Sequence, residues 1–200
     1  MKKFIIIGVL VFLGMLQMLF KSRSVTLGPG VHVVDEPIQI PLKNERSFEV
    51  GAFTIQPVAE FQLEAKVLSR KRYYLDYSAK LSPVDLALGW GSMSDEAVLN
   101  DLKISQSDRF YRWYASTLPI PAREITTSSA NMHLIPADPD VKKQILRAKE
   151  GEVIYLSGKL VNVSDSTGRT WNSSLTREDS GNGACEVIWV EEFRIIIPER

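Results

Sequence analysis

The sequence predicts a mainly β domain with two or three short helices. It reads as a small barrel or sandwich, with an OB-like barrel among its forms, set behind an N-terminal transmembrane helix. Three observations carry this. Residues 4–20 are apolar at every position but Gln17, and residues 59–67 alternate between apolar and polar side chains. From Glu152 onward, strand-like runs are separated by turn signals, while helix starts are few and lie close to breakers.

The run Phe4–Phe20 (FIIIGVLVFLGMLQMLF) follows Lys2 and Lys3. As a helix it would span about 26 Å, enough for a bilayer core. The residues after it are Lys21, Ser22, Arg23 and Ser24, with no small-residue cleavage site and no lipidation cysteine. The segment 1–23 therefore reads as an uncleaved signal anchor in the inner (cytoplasmic) membrane. Lys2 and Lys3 oppose Lys21 and Arg23, so the positive-inside rule votes weakly. The build of the chain favours a single-pass protein with its body on the extracytoplasmic side.

Lys plus Arg and Asp plus Glu both number 24. Residues 1–23 hold four of the bases and no acid, which leaves 20 basic against 24 acidic residues, a net charge of −4, for residues 24–200. An acidic body argues against a nucleic-acid partner, which needs a basic face to neutralise phosphates. One cysteine, Cys185, excludes an internal disulfide framework and a Cys-rich zinc site.

Residues 24–46 read as a tether or irregular extended lead-in, with Gly28-Pro29-Gly30 and prolines at 37 and 41. A single β-rich domain follows over 47–200. Ala59, Phe61, Leu63, Ala65 and Val67 alternate with polar residues, the mark of a strand with one face buried. Ser47–Gln56 reads as a strand before it, with Pro57 at the break. Ser82-Pro83-Val84-Asp85 carries a capping residue, a first-turn proline and a capping-box acid, and so predicts a short helix ending near Gly89. A second helix is predicted from near Ser94 to about Leu102, and Arg109–Tyr114 reads as an aromatic strand. Asp138-Pro139 starts a third helix whose stripe is Val141, Ile145 and Ala148, ended by Gly151. Strands are predicted over Glu152–Val163, Arg169–Thr176 and Ala184–Ile197, with a turn at Asp165–Gly168 and a bulge at Gly158.

The strings SPVDLALGWGSMSD (82–95), RFYRW (109–113), SANMHLIPA (129–137) and SSLTREDSGNGACE (173–186) are similar to those of an uncharacterised family of bacterial membrane-anchored proteins. The likeness covers roughly residues 50–190. It implies a body that occurs with a membrane anchor, and it carries over no catalytic or binding residue.

Cys185 with His133 is the catalytic candidate, because a thiolate nucleophile needs a base, with Asn131 or Asp179 to orient the ring. The same residues also read as structural. Cys185 opens the strand run ACEVIWV, where a small thiol packs well, and His133 sits in the extended run NMHLIP. The binding candidates are Trp90, Arg109 and Trp113, beside Tyr111, Arg112 and Trp171, since Tyr, Trp and Arg dominate interaction surfaces. No metal-ligand spacing and no cofactor motif is visible. The functional expectation is a non-enzymatic, membrane-anchored domain that binds a protein partner or ligand in or near the envelope; the alternative is a cysteine-dependent enzyme using Cys185 and His133.

Overall fold

The alternation read over Ala59–Val67 belongs, in the computed structural model, to one strand of twenty residues, β3 (Phe53–Arg72), in which buried and less buried residues alternate from Phe53 to Ala65. The structure describes residues 24–179, 181 and 183–196; the anchor predicted over 1–23 lies outside these residues. Among the described residues no helix is long and apolar enough to cross a membrane. Before β3 come β1 (Ile38–Pro41) and β2 (Phe48–Val50). After it come β4 (Val84–Gly89), β5 (Lys103–Ser107), β6 (Phe110–Tyr114), β7 (Ser129–Pro136), β8 (Val153–Asp165), β9 (Thr170–Asn172) and β10 (Glu186–Ile196). Three short helices interrupt them: α1 (Glu96–Leu99), α2 (Ala122–Thr127) and α3 (Pro139–Ile145).

Eight strands form one mixed sheet, near-closed but not a barrel, and β5 and β6 form a separate hairpin. β3 is long enough to serve two neighbours in succession. Its first part pairs with β8, from Phe53↔Asp165 to Lys66↔Val153, and its last part pairs with β4, from Lys66↔Gly89 to Arg72↔Val84. β4 continues to β7, β7 runs parallel to β10, and β10 returns antiparallel to β8. The main core lies inside this curve, with Phe61, Leu63, Leu86, Leu88, Trp90, Leu134, Leu156 and Ile188 among its members. A second cluster, including Ile55, Ile135, Val161 and Val187, packs on the other face of the same strands.

Burial on both faces explains one difference from the sequence reading, and a bulge explains another. The segment predicted as a helix after Ser82-Pro83 is β4, whose six residues VDLALG are all buried. A strand covered on both sides loses its period-two signature, and the capping grammar before it was then the stronger local signal. Pro57 does not end a strand. It sits inside β3 where the register against β8 slips between Pro57 and Ala59, a bulge that absorbs its missing N–H.

Local signals served better where they acted alone. Asp138 caps α3 by accepting from the Asp140 and Val141 amides at 2.8 and 2.9 Å, and Asp95 caps α1 through Ala97. The Gly158 bulge is present, with the extra residue on the opposite strand between Val190 and Glu192. A Cβ at Gly158 would overlap the Trp189 carbonyl oxygen, so only glycine permits that approach. The strand predicted over Arg169–Thr176 is confined to the three residues of β9, because Ser173 and Ser174 turn away to bond with β10 and its approach.

The chain before β1 lies extended along the body. Val25 N–H donates to Glu150 O at 2.8 Å, Leu27 and Gly28 N–H donate to the Glu96 carboxylate, and His32 and Val33 N–H donate to Ser94 Oγ. Lys66, 2 % exposed, holds the same Glu96 from below at 2.7 Å. Glu96 keeps its carboxyl below the ordinary carboxylate range: burial pushes it up, but the Lys66 ammonium and the two amides outweigh it.

Candidate functional site

On the outward face of β4, β7 and β10, alternation places polar residues where a sheet face would ordinarily be apolar. Asp85 pairs in register with His133, and Ala87 with Asn131. The parallel register of β10 sets Val187 beside His133, which brings Cys185 alongside Asn131. Asp85, Asn131 and His133 are all buried. They are covered by the β5–β6 hairpin and by the chain from β9 to β10.

The hairpin has a two-residue turn, Asp108-Arg109, closed by the pair Ser107↔Phe110. Both turn residues have positive φ, 53° and 68°, the type I′ geometry that usually recruits Asn-Gly. Arginine tolerates it here because its side chain enters the body. Arg109 Nη1 donates to Asp85 Oδ1 at 2.8 Å and to Ser82 O at 3.0 Å, and Nη2 donates to Asp76 Oδ1 at 2.7 Å. The guanidinium also stacks 3.7 Å from the Tyr73 ring centroid. Burial, then the Asp85 charge, pushes the Tyr73 hydroxyl up to about 12.

His133 lies behind this plug. Its Nδ1 is 3.0 Å from Asp85 Oδ1 but is not aligned as a donor, and its ring packs against Trp171 at 4.6 Å. Cys185 finds other partners: its Sγ lies 3.8 Å from Asn131 Nδ2 and 3.8 Å from Arg109 O. Asn131 Nδ2 donates to the same Arg109 carbonyl, and its Oδ1 accepts from Gln106. Burial pushes the Cys185 thiol up to about 12, against the Asn131 hydrogen bond, and Glu186, Asp85 and Asp179 push it further up. A nucleophilic cysteine needs the opposite environment.

Next to Asn131 and Cys185 opens a cavity of about 380 Å³. Tyr111 and Trp113 of β6 form one wall, Asn131 the floor, and Arg177, Cys185 and Glu186 the other wall. The Tyr111 hydroxyl meets Ser129 Oγ at 2.9 Å, and burial raises it to about 12 despite that bond. Glu186, 1 % exposed, is paired with Arg177, which reaches on to Gln39 Oε1. Burial outweighs the Arg177 charge and raises the Glu186 carboxyl to about 7. Glu186 Oε2 has no hydrogen-bond partner, and Asp85 Oδ2, Gln106 Oε1, Arg109 Nε and His133 Nδ1 share that condition. Buried polar atoms are ordinarily paired; of these five, Glu186 Oε2 is on a residue that lines the cavity, and the other four are on residues outside that lining.

Of the residues singled out from sequence, Arg109 and His133 come together through Asp85, and Cys185 joins them through Asn131. Trp113 lines the cavity, and Trp171 packs on His133. Trp90 belongs to the main core at 1 % exposure, and Arg112, which donates to Ser107 Oγ, also lines the cavity. Asp85, Tyr73, Arg177 and Glu186 were missed. They lie on four segments with no fixed spacing; the one available signal was a lone Asp and a lone Glu inside apolar strand runs. Among the described residues no three His, Cys, Asp or Glu side chains are placed to share a metal ion. No family model, no curated protein and no solved structure matches the chain.

Proposed function

We propose that this chain is a single-pass, membrane-anchored envelope protein whose β domain is a binding module. Its ligand or partner segment enters the cavity between the β5–β6 hairpin and the chain leading to β10. The observation that carries the reading is the cavity itself. It is within the size range of small-molecule sites, walled by aromatic rings, and floored by buried polar groups with an open acceptor at Glu186 Oε2. The occupant it suits has an apolar or aromatic body and an N–H or O–H donor directed at that carboxylate.

The strand order supports an OB-like reading. β3, β4 and β7 follow one another, β10 lies parallel to β7, β8 returns to β3, and α3 connects β7 to β8. In such folds the outward face of the second and third strands, flanked by long loops, takes the ligand. Here those strands correspond to β4 and β7, and β7 borders the cavity through Ser129, Ala130 and Asn131. An enzyme based on Cys185 and His133 has less support, since the thiol is held protonated and the imidazole contacts Asp85 and Trp171 instead.

The test is capture of the tagged full chain from mildly solubilised membranes of its host. Compounds or polypeptides retained by the wild type and lost by Trp113→Ala and Asn131→Ala, with unfolding temperatures little changed, support the reading. Identical retention by both variants overturns it.

A further inference from the structure

We propose that the corner of the domain formed by the end of β3 and the end of α3 lies against an anionic phospholipid surface. The inference rests on the anchor reading of residues 4–20 and adds which face of the body meets the membrane.

Chain reach comes first. Three residues lie between Phe20 and Ser24, and the four residue-to-residue steps span at most about 14 Å. Val25 is fixed to the body by its N–H bond to Glu150 O, and its carbonyl oxygen occupies the space a Gly151 side chain would need. Whatever surrounds Glu150 and Gly151 is therefore held within headgroup distance of a bilayer that contains Phe4–Phe20. This holds for either orientation of the anchor.

Charge comes second. Arg70 Nη1 donates to Leu146 O at 3.2 Å and Ala148 O at 2.6 Å, and Arg72 Nη2 donates to Leu146 O. These bonds gather two basic stretches, Arg70 and Arg72 from β3 with Lys142, Lys143, Arg147 and Lys149 from α3 and its exit, beside the point where the chain enters. All but Arg70 are exposed. The acids among them are Glu150 and Glu152, the latter already accepting from Lys149 N–H. Asp138 and Asp140 lie at the opposite end of α3. A body with an excess of acid thus presents a local excess of base at the one corner that cannot leave the membrane. Basic residues this close to anionic headgroups act within a Debye length.

Apolar exposure comes third. Two and three residues after Arg72, Tyr74 is 76 % and Leu75 is 99 % exposed. An aromatic and an aliphatic side chain at a turn tip beside arginines is the composition of an interfacial contact, where rings sit at headgroup level and apolar side chains dip below it. In water the same tip gains nothing from exposing them.

The experiment uses the full chain with Cys185→Ser and Leu75→Cys, labelled at position 75 with an environment-sensitive fluorophore. It is reconstituted in nanodiscs of phosphatidylcholine alone or of phosphatidylcholine with about half phosphatidylglycerol. The expected result is a blue-shifted emission and a roughly two-fold drop in iodide quenching on the anionic discs. Both should be lost at high salt and in the background of Lys142→Glu, Lys143→Glu, Arg147→Glu and Lys149→Glu, whose circular dichroism checks the fold. A probe that reports the same exposure on both discs overturns the proposal. Flotation in alkaline carbonate separates this from the anchor: a chain that floats with a silent probe fails only the docking surface. A chain that washes off fails the anchor reading, and docking then stands only if the probe still responds to the anionic lipid.

Discussion

Replacing Arg109 with alanine isolates the contact on which the hairpin depends. Asp85 is fully buried, and its hydrogen-bonded partner is Arg109 Nη1 at 2.8 Å; the nearby His133 nitrogen is not aligned to donate. Removing the guanidinium therefore leaves a carboxylate in the core without an aligned partner. Breaking a buried pair in this way costs about 3–5 kcal/mol. The Asp76 contact adds little, because Asp76 is 41 % exposed and screened. For a domain of this size the loss corresponds to a fall of about 6–20 °C in unfolding temperature. The assay is thermal unfolding of the full chain followed by tryptophan fluorescence, with Asp85→Asn and the double variant completing the cycle. The double variant should recover part of the loss, since a neutral amide in place of the carboxylate no longer needs a cation, with a coupling of about 0.5–3 kcal/mol. A loss below about 1 kcal/mol in Arg109→Ala, or strict additivity in the cycle, would refute the view that Arg109 pins the hairpin over the site.

Three further outcomes follow from the same geometry. Gly158→Ala drives a methyl group into the Trp189 carbonyl and should cost about 3 kcal/mol or more, while Gly168→Ala, in open space at φ +83°, should cost about 1 kcal/mol; equal effects in chemical denaturation would contradict the bulge account. The Glu186 carboxyl is raised from 4.5 to about 7, so the folded state holds a proton that the unfolded state releases between those values. Its contribution to stability is full below pH 4.5 and is lost as pH rises through 7, and Glu186→Gln should flatten the stability profile across that window. Glu96 and Asp165, held below their ordinary values, act at lower pH with the opposite sign, their contributions fading as pH falls. Cys185 should resist iodoacetamide at about pH 8 while the chain is folded and react once it is denatured; rapid alkylation below about pH 7 that depends on His133 would restore the enzyme reading.

The sequence exposed the fold where one local rule governed the outcome. Asp138-Pro139 opens a helix because a cap and a fixed φ act within three residues, and Ala59–Val67 alternates because its other face is wet. VDLALG concealed its strand because neighbours from distant parts of the chain cover both faces. The site was legible as residue types and not as a constellation. Arg109 and Trp113 stood out as anchor-type residues, and His133 and Cys185 as reactive ones. Asp85, which links Arg109 to His133, carries no spacing signal, since its relation to both is set by strand register and by a hairpin turn that contains no glycine. Trp90, named as a binding candidate and flanked by two glycines, is buried: Gly89 has no room for a Cβ, because the Met93 carbonyl oxygen stands where one would be.

The central claim is that the opening beside Asn131 and Glu186 is where this protein binds. Hydrogen exchange of the full chain in nanodiscs, before and after exposure to an envelope extract of the host, tests it most directly. The account predicts that amides of 105–114 and 173–187 gain protection together, and that Trp113→Ala abolishes the gain. Protection confined to other segments, or the same gain in Trp113→Ala, would contradict it.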